Sequence, residues 1–356
     1  MLRLARSIAR SVARSVARSV ARCGVLALAL GACSADPGGP AVQTFAFGPF
    51  DIPPGQEIAD QCVQISLHND DYLHVNSVEL TTGPGFHHSN WLFVPEHVFP
   101  GEDGTYRCDD RGFDQAVAAI FGGVLFAQST QNPHEIQAFP PGVALRIPPR
   151  SKLVSTIHLL NPTDGVLSTR PTIKLAPIEE AKVATVLAGI SFQNQALALP
   201  PGKPSKFSVE CDLGPTHQRV FGRAPDFHIY YALAHYHELG TALTVEAVQP
   251  DGTAATVYST KNAVGDSLGG LIAPAFDMTG YTKLRLSCEF FNPRAATVGW
   301  GIGDQEMCVF LAFSDSTYNW GGGVHDSNEP PQNPVQVGGT MTYSNPCSLF
   351  ANDASR

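Results

Sequence analysis

Apolar positions along this chain come in short runs, separated by Pro, Gly, Asn and Asp rather than by long polar stretches. Residues 63–67, 91–94, 153–159, 207–210, 243–248, 284–290 and 309–313 are such runs, rich in Val, Ile, Leu and Phe. Runs of this length between turn residues read as β-strands. With 28 Pro and 33 Gly, long helices are excluded. One short helix is expected over residues 113–121, where Asp114 stands near the start and Gly122-Gly123 ends it. Many short strands with regular turn signals predict an all-β protein of sandwich or jelly-roll type. At 356 residues the chain has room for two domains of about 150 each. The segment 197–205 (LALPPGKPS) follows a strand-like stretch at 185–192 and is the best boundary. The expected organisation is therefore two tandem jelly-roll β-sandwich domains, 43–196 and 205–350.

The first 32 residues do not fit that pattern. Arg3, Arg6, Arg10, Arg14, Arg18 and Arg22 lie in a repeated Ala-Arg-Ser-Val unit, and no acidic residue precedes Asp36. A short apolar stretch at 24–32 follows, too short to span a bilayer as a helix, so residues 1–32 read as an export signal. It ends Leu30-Gly31-Ala32-Cys33, which resembles the bacterial lipobox. The resemblance implies cleavage before Cys33, lipid on its sulfur and a tether over residues 33–42. With Ser34 next, the bacterial sorting pattern points to the outer membrane, on its periplasmic or cell-surface side. Losing the six leader arginines moves the net charge from −9 to −15. That excess of acid argues against nucleic acid as a partner, and leaves a lipid anchor as the contact with membrane.

Six cysteines remain after Cys23 and Cys33 are set aside: Cys62, Cys108, Cys211, Cys288, Cys308 and Cys347. An even number in an exported chain implies disulfides, and six can pair in about 15 ways. The domain boundary divides them two and four. It assigns Cys62 to Cys108 and leaves three pairings open for the rest.

The candidate chemistry lies in histidines. His235 and His237, in Ala232-Leu-Ala-His-Tyr-His-Glu-Leu-Gly240, are two residues apart and share one face of a strand. Met307-Cys308 starts a later strand. Two imidazoles with a thioether suit copper, Cu(I) especially, better than zinc. Upstream, His87-His88 follows the turn Gly83-Pro84-Gly85, and His158 lies in the run 153–159. Adjacent strand residues face opposite ways, so His87 and His88 can reach one metal only at a strand end or a bulge. His87, His88 and His158 would form an all-nitrogen site suited to copper or zinc. The other histidines stand in polar or loop contexts, and His228 falls on the opposite side of a continuous strand from His235.

Taken together, His87-His88, His158, His235-x-His237-x-Leu-Gly and Glu306-Met307-Cys308 resemble, in order and spacing, the copper type II, ascorbate-dependent monooxygenases, over roughly residues 45–350. That family includes peptidylglycine α-hydroxylating and dopamine β-monooxygenases. The resemblance implies two jelly rolls with one copper each. His87, His88 and His158 would hold an electron-transfer copper. His235, His237 and Met307 would hold a catalytic copper where dioxygen and a small-molecule substrate meet. With ascorbate or another reductant as co-substrate, the expected reaction is hydroxylation of a C–H bond. The resemblance also implies the pairings Cys288–Cys308 and Cys211–Cys347. Four positions depart from the peptide-hydroxylating branch: Leu233 replaces an Arg carboxylate clamp, Val309 an Asn, Leu311 a Tyr and Thr156 a Gln. The expected substrate is accordingly apolar or aromatic rather than a carboxylated peptide. The alternatives are a non-catalytic copper-binding or copper-delivery lipoprotein, and a carbohydrate-binding sandwich. Three Trp offer no evident sugar-stacking platform for the last.

Overall fold

Alternation of apolar and polar residues produces strands with one buried face. In Thr172–Ile178 and Pro204–Asp212 every second residue is buried, the period-2 signature of a half-solvated strand. Ser151–Leu160 departs from it, being buried almost throughout. It lies centrally in its sheet, and its outer face is covered by a small cluster of Leu92, Val94, Ala118 and Val154. The computed structural model describes residues 39–354 except 100, 116, 117, 120, 121 and 130. The expected export signal, Cys33 and most of the expected tether lie outside the described residues.

The protein is mostly β, with several sheets. All seven apolar runs named above fall within strands, except that Leu67 lies one residue past the end of Glu57–Ser66. A five-stranded sheet carries, in order, Gly104–Arg107, Glu57–Ser66, Ser151–Leu160, Phe86–Pro95 and Gly123–Ala127. A six-stranded sheet is built from the second half, with Lys283–Phe291 paired to both Gly240–Val248 and Pro204–Asp212. An eleven-stranded sheet draws strands from both halves.

The joint of that long sheet is the strand Thr185–Asn194. Its first three residues pair in parallel with Val143, Ala144 and Leu145 of the first half. From Ala188 onward it pairs antiparallel with Val309–Ser314, and from Ile190 in parallel with Tyr318–Val324. The strand just before the expected boundary is thus also part of the second half's sheet, and residues 40–356 form one compact unit. Two large apolar cores flank the joint, one from each half.

Gln115, Ala118 and Ala119 are helical where a helix was expected, and the rest of that turn lies outside the described residues. A second helix, Gly214–Phe221, has Pro215 in its first turn and a left-handed Gly222 at its end. Cys62–Cys108, Cys211–Cys347 and Cys288–Cys308 are all bonded. Three disulfides point to an oxidising, extracytoplasmic location. Among the described residues no helix is long and apolar enough to cross a membrane.

Candidate metal centre

The two adjacent histidines reach one site because the strand carrying them is bulged. In the antiparallel pairing of Phe86–Pro95 with Ser151–Leu160, His88 lies opposite His158, but the next partner of Leu159 is Phe86. His87 is the extra residue, and the bulge turns it toward the side its neighbour faces. The turn before it needs glycine. Gly85 has φ +79°, and a Cβ there would lie 2.4 Å from the Ile52 side chain. The result is a group of His87, His88 and His158 whose ligand atoms all lie within 4.8 Å of one another. The Nδ1 atoms of His87 and His88 are 2.9 Å apart.

His235 and His237 arrive from the strand His228–His235 and the turn after it. A bulge between Ile229 and Tyr231 sets this strand's facing. Beyond it, Tyr231 and Leu233 pack into the first half's core, while Ala232, Ala234 and Tyr236 pack into the second half's. His235 continues the face of Tyr231 and Leu233, so it projects toward the first half. There its ring centroid lies 5.1 Å from that of His88, and His237 lies 6.3 Å from His87. The sequence placed these histidines in two separate sites, one per domain. In the structure His87, His88 and His158 form one group, and His235 and His237 lie next to it, because the long sheet aims the His235 face at the first half.

Hydrogen-bond partners decide which nitrogens are free to bind. His158 Nε2 is 2.7 Å from Glu57 Oε1, whereas its Nδ1 is buried with no partner. A carboxylate accepts, so a proton sits on Nε2, and Nδ1 is the ring nitrogen that lacks a partner in the protein. His237 is the mirror case. Its Nδ1 donates to the Gln305 carbonyl at 2.8 Å, and its Nε2 is buried without a partner. Burial pushes the imidazoles of His88 and His235 well below their ordinary range, and His87 down to about 3. His237 is lowered for the same reason. These rings are neutral at physiological pH, the form that ligates a metal.

Glu306 shapes the turn under His237. Its Oε2 accepts the His237 N–H at 2.9 Å and the Met307 N–H at 3.3 Å, and its Oε1 accepts the Leu239 N–H at 2.7 Å. Burial nevertheless raises its carboxyl to about 7. The ladder that pairs Leu233 with Leu311 ends at His235 and Val309, two residues short of His237 and Met307. Cys308 is bonded to Cys288 beside it.

A cavity of about 290 Å³ opens on one side of the cluster. It touches His87, His158 and His237, and its other walls include Glu57, Glu238, Arg294 and Asp304. Met307, Leu233, Val309, Leu311 and Thr156 are not among its lining residues. Leu233, expected on a substrate wall, is buried beside Tyr231 and Phe313 between the halves. The loop at Gly303 passes near the Glu57 carboxylate, and both line the cavity beside His158.

His228 binds Asp315 through its Nδ1 at 3.1 Å, away from the cluster. His134 pairs with Glu79, His217 stacks on Trp320, and His325 meets Gln193. Glu57, Gln305 and Arg294 were not singled out from sequence. Glu57 is 101 residues from His158, and only strand register brings them together. Glu306 stood beside the methionine in the motif, which was the available signal.

No family model and no curated protein matches the chain. Among solved structures, the PBSX exported protein XepA is similar at 6% identity, over 76% of this chain and 85% of that one, with a TM-score of 0.20. VP2 of infectious bursal disease virus is similar at 11% identity over 78% and 72%, TM-score 0.20. The tandem CBM22 domain of Paenibacillus barcinonensis Xyn10C is similar at 13% identity over 79% and 92%, TM-score 0.19. The likeness is distant and carries nothing about function.

Proposed function

We propose that this chain is a copper-dependent monooxygenase that hydroxylates a C–H bond of a small substrate, using dioxygen and a one-electron reductant such as ascorbate. In this reading it belongs with the copper type II, ascorbate-dependent monooxygenases, is built as two jelly-roll sandwiches, and is carried on a lipid anchor at the outer membrane. The supporting observation is a cluster of five imidazoles, those of His158, His235 and His237 buried and those of His87 and His88 half-buried, in which His158 Nδ1 and His237 Nε2 have no partner within the protein. Buried polar nitrogens are rarely left unpaired, and an orphaned pair in a histidine cluster is accounted for by a bound metal.

His87, His88 and His158 would hold one copper, and His235 and His237, joined by Met307, the other. Bound there, copper supplies one-electron redox chemistry and the activation of dioxygen, with the thioether favouring Cu(I). The protein's own part is to hold neutral imidazoles in place, so that metal uptake at neutral pH need not displace protons from them. Glu57 orients His158 and the Gln305 carbonyl orients His237. Glu306 fixes the turn carrying His237. The cavity admits a small substrate beside His87, His158 and His237 and is lined largely by polar groups. The argument for an apolar or aromatic substrate rested on Leu233, Val309 and Leu311, which lie off the cavity, so substrate polarity is not part of the proposal.

The copper-binding or copper-delivery alternative is favoured by one observation, that Met307 does not line the cavity. The two readings separate on copper content followed by ascorbate-dependent oxygen uptake during a substrate screen. Substrate-coupled uptake supports the monooxygenase. Two coppers without such uptake support the carrier. Met307→Ile is expected to abolish product formation while copper at His87, His88 and His158 is retained. Full turnover by Met307→Ile would remove Met307 from the catalytic site.

A further inference from the structure

Resting on the copper reading above, we infer that Glu135 is a positioning residue for His235: its buried carboxylate ties the turn that holds the end of the His235 strand to the loop that braces the His87 strand. Glu135 lies in the strand His134–Ala138, opposite Leu80 of Leu73–Thr81. Alternation turns His134, Ile136 and Ala138 outward and Glu135 and Gln137 inward. Its hydrogen-bond partners among the described residues are all neutral. A buried carboxylate in such company is costly unless its oxygens are filled. Its Oε2 accepts the Ser129 N–H at 2.6 Å, and its Oε1 accepts the Ser129 hydroxyl at 2.6 Å. The Ser267 hydroxyl, from the second half, lies 3.1 Å from the same Oε1.

From Ser129 the tie runs both ways. Its Oγ accepts the Leu268 N–H at 2.7 Å. The Leu268 carbonyl in turn accepts the Ala234 N–H at 2.9 Å, one residue before His235. The Tyr258 hydroxyl donates to the same carbonyl at 2.6 Å, so Leu268 is held at both its backbone polar groups. Toward the first half, the Gln128 N–H donates to the Ser89 carbonyl at 3.1 Å and the Gln131 N–H to the His87 carbonyl at 2.5 Å. The two ends are not equally fixed. The strand of His87 and His88 is paired on both sides, with Ser151–Leu160 and with Gly123–Ala127. The pairing of His228–His235 with Gly269–Asp277 stops at Leu233 and Gly269, and the bond from Ala234 to Leu268 continues the hold beyond it. Without the carboxylate the buried Ser129 N–H loses its acceptor, and the loop must move to regain one. Glu135 therefore acts on His235 through Ser129 and Leu268, and far less on His87, which the ladder already holds.

The test reads each histidine set separately. Copper is titrated into the full chain, into a form lacking the first set (His87→Ala with His158→Ala) and into one lacking the second (His235→Ala with His237→Ala). Each is made with Glu135 in place, with Glu135→Ala and with Ser129→Ala. Both substitutions should weaken copper at His235 and His237 by about tenfold, the lower end for loss of a group that orients a ligand. They should also alter the Cu(II) EPR spectrum of that site, while copper at His87, His88 and His158 keeps its affinity and spectrum. The effects should not add, because the two residues act on His235 as one chain. In the metal-free protein the amides of Ala234 and Leu268 should exchange several-fold faster in both variants, with those of Ser155 and Ile157 unchanged. Equal weakening at both sets, as a purely structural role would give, would overturn the positioning role and leave the copper reading standing. Weakening at neither set, or additive effects, would do the same. If Glu135→Ala does not fold, Ser129→Ala and Glu135→Gln carry the same comparison, since Gln keeps the size of the side chain but turns one acceptor into a donor. No copper in the unsubstituted chain would overturn the copper reading and this inference with it.

Discussion

Glu57 offers the sharpest test of the proposal that His158 takes a metal. Its Oε1 lies 2.7 Å from His158 Nε2, which fixes the proton there and frees Nδ1, the buried atom without a partner. In Glu57→Ala the ring loses that restraint and can turn or change tautomer. Losing such a partner typically costs a factor of about 10 to 100 in metal affinity, or roughly 1.4–2.7 kcal/mol. The Glu57 side chain is 38% exposed, so solvent can partly replace it, and the lower end of that range, about tenfold, is expected. Glu57→Gln keeps an acceptor oxygen without the charge and should fall between wild type and Ala. The assay is competition for Cu(I) and Cu(II) against chelators of graded affinity, with folding checked by circular dichroism. Equal affinities for wild type and Glu57→Ala would refute the claim that this carboxylate sets the His158 tautomer.

Three further outcomes follow from the same geometry. Burial lowers His87, His88, His235 and His237 from the ordinary 6.5, His87 to about 3, so below 6.5 the unfolded chain takes up protons that the native chain refuses. Stability of the metal-free chain is then full above about 6.5 and falls with acidification, by up to about 1.4 kcal/mol per pH unit for each histidine. Glu306, raised from 4.5 to about 7, acts in the opposite sense between those values, but it is one proton against four. A urea midpoint no lower at pH 5 than at pH 7.5 would contradict this. Leu233→Arg should destabilise by more than about 4 kcal/mol, because it buries an unpaired charge among Tyr231 and Phe313. Thermal unfolding reads this, and a stable variant would contradict the burial. Cys288→Ala with Cys308→Ala opens a loop of 20-residue separation and should cost about 3 kcal/mol by chain entropy. An unchanged denaturation midpoint would show that the bridge adds nothing.

Strand positions were legible because alternation and Pro/Gly punctuation are local signals, and the runs from 63–67 through 309–313 are strand at every residue but Leu67. The helix Gly214–Phe221 was passed over although Pro215 and Gly222 mark its ends, since eight residues carry too few apolar repeats to show a 3.6-residue period. The bulge at His87 was readable as a condition: two adjacent histidines at one site require it, and Gly83-Pro84-Gly85 supplies the turn. What could not be read was the nearness of His235 and His237 to the group of His87, His88 and His158. It depends on Thr185–Asn194 pairing with strands of both halves, a long-range register that no local pattern encodes. Glu57 was invisible for the same reason.

The strand His228–His235 shows how fold and site are one arrangement. After its bulge, alternate residues serve different cores: Ala232 and Ala234 the second half, Tyr231 and Leu233 the first. Small residues on one face let the strand approach the second half's core closely, and large apolar ones on the other seat it against the first half's, where Phe139 packs edge-on to both Tyr231 and Phe313 at 6.1 and 5.5 Å. His235 is the next residue on that second face, so the same apolar contact that binds the halves delivers the imidazole to His88. A one-residue slip of this strand would move Leu233 and His235 together to the wrong side. The position of the histidine face is therefore set by hydrophobic packing several residues away, and weakening the Tyr231–Leu233–Phe313 cluster should loosen His235 from His88 before it disturbs the bulged group of His87, His88 and His158.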